Sequence, residues 1–177
     1  MEPLNPNTEA LEKRRLELIQ IINDAFDGVS REGGVSLHET VVLDDCGSDE
    51  ERAAARALDT ESRWQDIPPT WFQGGVNASF MDPIGFHYYA PAFMIFNLKQ
   101  LGPNHDRSLW TNINIRFHFS PGDDGRMDDW IREKFRLFTP VQGRAVRIFL
   151  EFYRDWEDGL YAEEAQEALD WYWGQYE

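Results

Sequence analysis

A chain of 177 residues that is 42% hydrophobic and 14% aromatic has the length and apolar content for one domain with a real core, which excludes wholesale disorder. Its net charge of −15 is concentrated at the ends: residues 1–60 carry −8, and residues 156–177, with seven acids and no Lys or Arg, carry −7. Such a field repels nucleic acid and anionic membrane and steers a basic protein toward the chain. Cys46 is the only cysteine, so no intrachain disulfide is available. The polar opening, Met1 to Thr8, has no secretory character, and the most apolar stretch carries charges at Asp82 and Lys99, too close together for the ~20 apolar residues of a membrane span. The expectation is a soluble, cytoplasmic protein forming one domain over 1–177, with 1–7 as a loose leader.

Thr8 can cap a first helix over 8–27, in which Leu11, Leu18, Ile19, Ile22, Ala25 and Phe26 share one stripe and Gly28 ends the helix. Ser36-x-x-Glu39 fits a capping box opening a short helix through Leu43, and Ser48-x-x-Glu51 fits a second one opening an alanine-rich helix to about residue 60. Trp64 and Ile67 read as anchors of a loop that ends at Pro68-Pro69. Asp82-Pro83 is a helix start, and Pro91 predicts a break, giving one piece over 83–89 and another from 91 to 100. Residues 80–101 are apolar on nearly every side, so the rest of the chain must wrap them.

From Trp110 to Phe119 the period changes to two: Ile113, Ile115, Phe117 and Phe119 alternate with polar residues, which predicts a half-buried strand. A helix over 127–137 would bury Met127, Trp130, Ile131 and Phe135. Thr139-Pro140-Val141-Gln142 combines a cap, a proline at the first position and a glutamine three residues after the cap. Val141, Ala145, Ile148, Phe149, Phe152 and Trp156 then form a core stripe. After Asp158-Gly159, the last helix turns Tyr161, Ala165, Ala168, Leu169, Tyr172 and Tyr176 inward, opposite Glu163, Glu167 and Asp170. The predicted fold is mainly α: about six helices packed around 80–101, with a small β element near 110–119.

Four blocks of the chain resemble a family of uncharacterised bacterial proteins, a domain of unknown function. They are Leu37-His-Glu-Thr-Val-Val-Leu-Asp-Asp; Gly47-Ser-Asp-Glu-Glu-Arg with the alanines that follow; Asp82-Pro-Ile-Gly-Phe-His-Tyr-Tyr-Ala-Pro-Ala-Phe-Met; and Phe138-Thr-Pro-Val-Gln with Phe149-Leu-Glu-Phe. The resemblance implies a shared fold but no activity and no cofactor. It stops near residue 153, which marks the Trp-rich acidic tail as particular to this chain.

Candidate chemistry is sparse. His38, Glu39, Asp44, Asp45, Cys46 and Asp49 supply every ligand type a metal needs, but at neither zinc nor calcium-loop spacing, and helix starts explain the acids. Cys46 beside two aspartates is a poor thiolate. His87, among aromatics and near Asp82 and Tyr88, could serve acid–base chemistry or simply bond within the core, with the hydroxyls of Tyr88 and Tyr89 reaching the surface. Asp123, Asp124, Asp128 and Asp129 around a glycine turn offer a cation site that turn chemistry explains equally well. At helical spacing, Trp171 and Trp173 flank the apolar stripe of the last helix beside its acidic face.

These observations favour a non-enzymatic binding protein with no cofactor, such as an immunity or inhibitor protein that neutralises a basic toxin or nuclease. Glu163, Glu167 and Asp170 would steer the partner, and Trp171 and Trp173 would bury against it. The alternatives are a small metal-dependent hydrolase, with His38, Glu39 and His87 as catalytic residues and Asp44, Asp45 and Asp49 as metal ligands, and a regulatory or scaffold domain. The hydrolase reading requires His38 and His87 to converge.

Overall fold

The computed structural model describes residues 6–73, 78–101, 119–120, 128–156 and 162–177. Among these the regular structure is helical. The α-helices are α1 (Pro6–Ala25), α2 (Glu39–Asp44), α3 (Asp49–Arg56), α4 (Pro83–Gln100), α5 (Asp128–Phe135), α6 (Pro140–Arg154) and α7 (Ala162–Trp171), joined by turns and short 3-10 segments. The strand expected over 110–119 lies outside the described residues except for Phe119, which is helical in conformation and buried. No strand occurs among the described residues, so the small β element is not supported.

Helix α4 is the centre because its sequence leaves it no solvent face. Phe86, Tyr88, Tyr89, Phe93, Met94, Ile95, Phe96 and Leu98 are all buried, and they project in every direction around the axis. Asp82 starts the helix by accepting the Gly85 N–H at 2.8 Å, and the same Oδ1 accepts the Val35 N–H at 2.9 Å. One carboxylate thus caps α4 and straps the loop before α2 across its end. The helix does not break at Pro91 but runs unbroken to Gln100. A proline inside a helix costs about 3 kcal/mol in isolation. Here both halves are buried in the same core, so packing holds them in line against that local preference.

The other helices pack around this hub. α1 lies against α4 and α6, α5 against α4, and α7 against α6. α1 buries Leu18 and Ile22, with Phe26 just beyond its end, and the chain turns away at Gly28 with φ +72°, as the C-terminal glycine reading requires. Arg15, on the same inner face, donates to the Leu98 carbonyl at 3.0 Å while Glu12 neutralises it at 2.6 Å, which ties α1 to the end of α4. One apolar cluster includes residues from α1, α4, α5, α6, α7 and the 3-10 turn at Trp173–Gln175.

Both strong helix starts form as capping boxes, Ser48 with Glu51 and Thr139 with Gln142. Each is worth on the order of 1 kcal/mol. The third, at Ser36, is half formed. Glu39 accepts the Ser36 N–H at 2.7 Å, but α2 begins at Glu39 with His38 as its N-cap, and the Ser36 hydroxyl is buried without a hydrogen-bond partner among the described residues. Two expected core residues are outside: Val141 is 65% exposed and Trp130 43%. The apolar stripe of α6 starts one residue later, because Gln142 turns inward to complete the cap. Trp130 instead lies over a buried cation, with Lys134 Nζ 3.7 Å from its ring centre.

Candidate functional site

The last helix carries a groove of about 740 Å³ lined by Arg154 of α6 and by Ala162, Glu163, Gln166, Glu167, Asp170 and Trp171 of α7. Its construction follows from the sequence of α7. Ala165, Ala168 and Leu169 are buried against α6, and the small alanines let the two helices approach. The opposite positions 163, 167 and 170 are exposed carboxylates at i, i+4 and i+7, a row about 10 Å long at 1.5 Å rise per residue. Gln166 Nε2 donates to Asp170 Oδ1 at 2.8 Å, and Arg154 Nη1 donates to Gln166 Oε1 at 3.4 Å. Four of the five residues expected to meet a partner therefore share one groove.

The fifth does not. Trp173 is fully buried, its indole N–H donates to the Phe119 carbonyl at 2.8 Å, and its ring centre is 4.6 Å from Phe135 and 5.3 Å from Phe138. The helical phase that set Trp173 beside the acidic face is lost because α7 ends at Trp171. Tyr172 leaves helical geometry at φ −145°, and a 3-10 turn takes over. Trp173 is a core residue, not a contact residue. Trp171 is half-buried at the end of the groove, with the Arg132 guanidinium of α5 stacked 4.4 Å from its ring centre. The tail beyond it is anchored too: the Tyr176 ring lies against Gly143, where an added methyl would meet the ring at 2.5 Å.

The residues of the hydrolase reading are dispersed. His38 Nδ1 lies 2.6 Å from Asp59 Oδ1, and Asp59 Oδ2 accepts the His38 backbone N–H at 3.0 Å. An ionised carboxylate can only accept, so Nδ1 is the donor to Asp59, and the partly exposed ring packs on Trp71. Glu39 is buried and paired with Arg56 at 2.6 Å. His87 Nε2 bonds Gln142 Oε1 at 2.8 Å, and its ring packs on Phe138 and Phe26. His38 and His87 share no bonding partner, and each is held by a different part of the chain. Asp44, Asp45, Cys46 and Asp49 are exposed, and no group of three metal-ligating side chains occurs among the described residues. Asp123 and Asp124, with the Asp128 side chain, lie outside them; Asp129 is exposed.

The expected role for Tyr88 and Tyr89 is also corrected. Both are buried, and the Tyr89 hydroxyl donates to Glu61 Oε1 at 2.7 Å while accepting from Arg31 at 2.7 Å. Burial first, and the nearby Glu61 carboxylate second, push both phenols far above the usual range. Arg31, Asp59 and Glu61 were not singled out from the sequence. They sit in the turn after α1 and the loop after α3, and only the fold brings them to Tyr89; no local spacing announces them. Lys134, like Arg15, is a buried basic side chain. Its ammonium donates to the Ala78 and Ser79 carbonyls at 2.9 and 3.0 Å, and burial pushes its pKa down to about 7.

An all-helical arrangement of the described residues around one aromatic helix, with an acidic, tryptophan-ended groove on its last helix, defines the class. The chain belongs to a family of unknown function, DUF6714, which matches residues 14–177. That match runs through α7 to the last residue, so the acidic tail is part of the family and not an addition to it. No curated protein and no solved structure matches the chain. No helix among the described residues is long and apolar enough to cross a membrane.

Proposed function

We propose that this protein is a non-enzymatic binding protein whose α7 groove receives a basic protein partner, and that it acts as an inhibitor or immunity-type protein. The observation that carries the reading is the row Glu163, Glu167 and Asp170 along one groove that ends at the half-buried Trp171. Carboxylates at a rim speed encounter and select sign, and a partly desolvated aromatic beside them supplies anchor area. The net charge of −15 extends that attraction beyond the groove. Affinity capture at low salt, with the retained proteins identified, tests it. A basic protein held by the wild type and lost from the E163K/E167K/D170K variant is expected. A retained set unchanged by that reversal refutes the reading.

A second reading rests on His38. A partly exposed histidine whose Nδ1 is bonded to a buried aspartate has the geometry of a general base at its other ring nitrogen. In this reading Nε2 takes a proton from water as the water oxygen attacks an acyl carbon and the leaving group departs. Hydrolysis of p-nitrophenyl acetate that is lost in His38→Gln and kept in His87→Gln supports it. Equal rates in all three proteins remove it.

A further inference from the structure

We propose that Lys134 and Trp130 form a proton-controlled latch: the Lys134 ammonium pins the half-exposed indole over the Ala78–Phe80 turn, and loss of its proton lets the ring go. Trp130 and Lys134 stand at i and i+4 on α5, so their side chains share one face of the helix. The Ala78 and Ser79 carbonyls of the turn accept from the ammonium at 2.9 and 3.0 Å, and the Trp130 ring centre lies 3.7 Å from the same nitrogen. Lys134 is 4% exposed and Trp130 43%, so the ring is the outer member of the pair and the cation the inner one.

The pair responds to protons because the cation is buried without a counter-ion. No carboxylate pairs with Lys134 among the described residues. Asp82, at the start of α4, favours its charged form from a distance, but the Asp82 carboxylate already accepts the Gly85 and Val35 N–H groups. The other ionisable groups on the elements packed here are engaged elsewhere: His87 of α4 with Gln142, Arg132 of α5 with Trp171, Glu133 with Arg136, and Tyr172 against Phe135. Asp129 and Lys99 are exposed. Burial therefore outweighs the attraction of Asp82 and brings the Lys134 pKa down to about 7. An ammonium has three N–H groups, two for the carbonyls and a third for the indole face, whose π cloud attracts the charge. The neutral amine keeps two N–H groups for the carbonyls and leaves its lone pair against the ring. Loss of the cation–π attraction alone favours the unseated ring by about 3- to 30-fold.

The chain has three lysines, Lys13, Lys99 and Lys134, so ¹³C NMR of the full-length protein labelled at lysine Cε follows each of them separately. Labelling with 5-fluorotryptophan and ¹⁹F NMR follows the indole in the same titration, the two lines of interest being assigned by their loss in Lys134→Met and Trp130→Phe. Near neutral pH the Lys134 signal is expected to pass through a transition with its midpoint at about 7, and the Trp130 line to move with the same midpoint. In Lys134→Met the Trp130 line is expected to show no such transition. A Lys134 signal that stays fixed through neutral pH overturns the proposal. So does a Trp130 line that stays fixed while Lys134 titrates, or one that still moves in Lys134→Met. The coincidence of the two midpoints is read in the wild type, so a variant that fails to fold leaves that comparison standing.

Discussion

Replacing Trp173 by alanine removes a side chain that is 0% exposed and ringed by Phe119, Phe135, Phe138, Tyr172 and Tyr176. A buried Trp→Ala change costs about 3–5 kcal/mol in lost transfer energy and cavity formation. The Phe119 carbonyl, deprived of the indole N–H at 2.8 Å, adds about 1 kcal/mol as a buried acceptor left unpaired. The sum, about 4–6 kcal/mol, is a large share of the 5–15 kcal/mol typical of a domain. Urea denaturation followed by far-UV circular dichroism measures it: with a slope near 2 kcal/mol/M, the midpoint falls by roughly 2–3 M. Trp171→Ala, at a half-buried ring, is expected to cost less than half as much. A Trp173→Ala midpoint within about 0.5 M of wild type would refute the placement of this ring in the core and return it to the surface as a contact residue.

Other consequences follow from single contacts. Lys134 has a folded-state pKa of about 7 against 10.5 when solvated. Between those values the unfolded chain holds the proton and the folded chain releases it, so stability rises with pH from about 7 toward 10.5, by at most about 5 kcal/mol. The phenols of Tyr88, Tyr89 and Tyr176 are shifted upward by burial, so above pH 10 the unfolded chain loses protons that the folded one keeps, and stability falls again. Thermal melts across this range should show the rise in wild type and a flatter profile in Lys134→Met; a parallel rise in both contradicts the assignment. Gly143→Ala drives a methyl into the Tyr176 ring and is expected to lower stability by about 1–3 kcal/mol, with the near-ultraviolet tyrosine signal altered. A neutral substitution would mean that the C-terminal turn is not seated on α6.

What could be read from the sequence was local. The Ser48–Glu51 and Thr139–Gln142 boxes and the Asp82-Pro83 start each join residues within one turn, where spacing alone specifies the geometry. The same rule failed at Ser36 because the loop strapped to Asp82 delays α2 by two residues. At Pro91 local preference predicts a break, but packing around a helix buried on nearly all sides overrides it. Trp130 and Val141 show the converse: an apolar residue at the right period is not obliged to be inside when a lysine ammonium or a capping glutamine takes the inner place. The pairs His38–Asp59 and Tyr89–Glu61, 21 and 28 residues apart, leave no periodic trace and appear only once the chain is folded. The acidic face of the last helix was legible because its carboxylates keep helical spacing; Trp173 was not, because the helix stops two residues before it.

The groove's claim is tested most directly by ¹⁵N-resolved NMR of the assigned protein titrated with a short basic peptide, hexalysine. The account predicts that the Trp171 indole N–H and the backbone amides of Glu163, Glu167 and Asp170 shift together along one saturating curve, while the Trp173 indole N–H, bonded inside the core, stays fixed. Shifts centred on the exposed acids at 44–49, or small changes spread over the whole acidic surface without saturation, would contradict it.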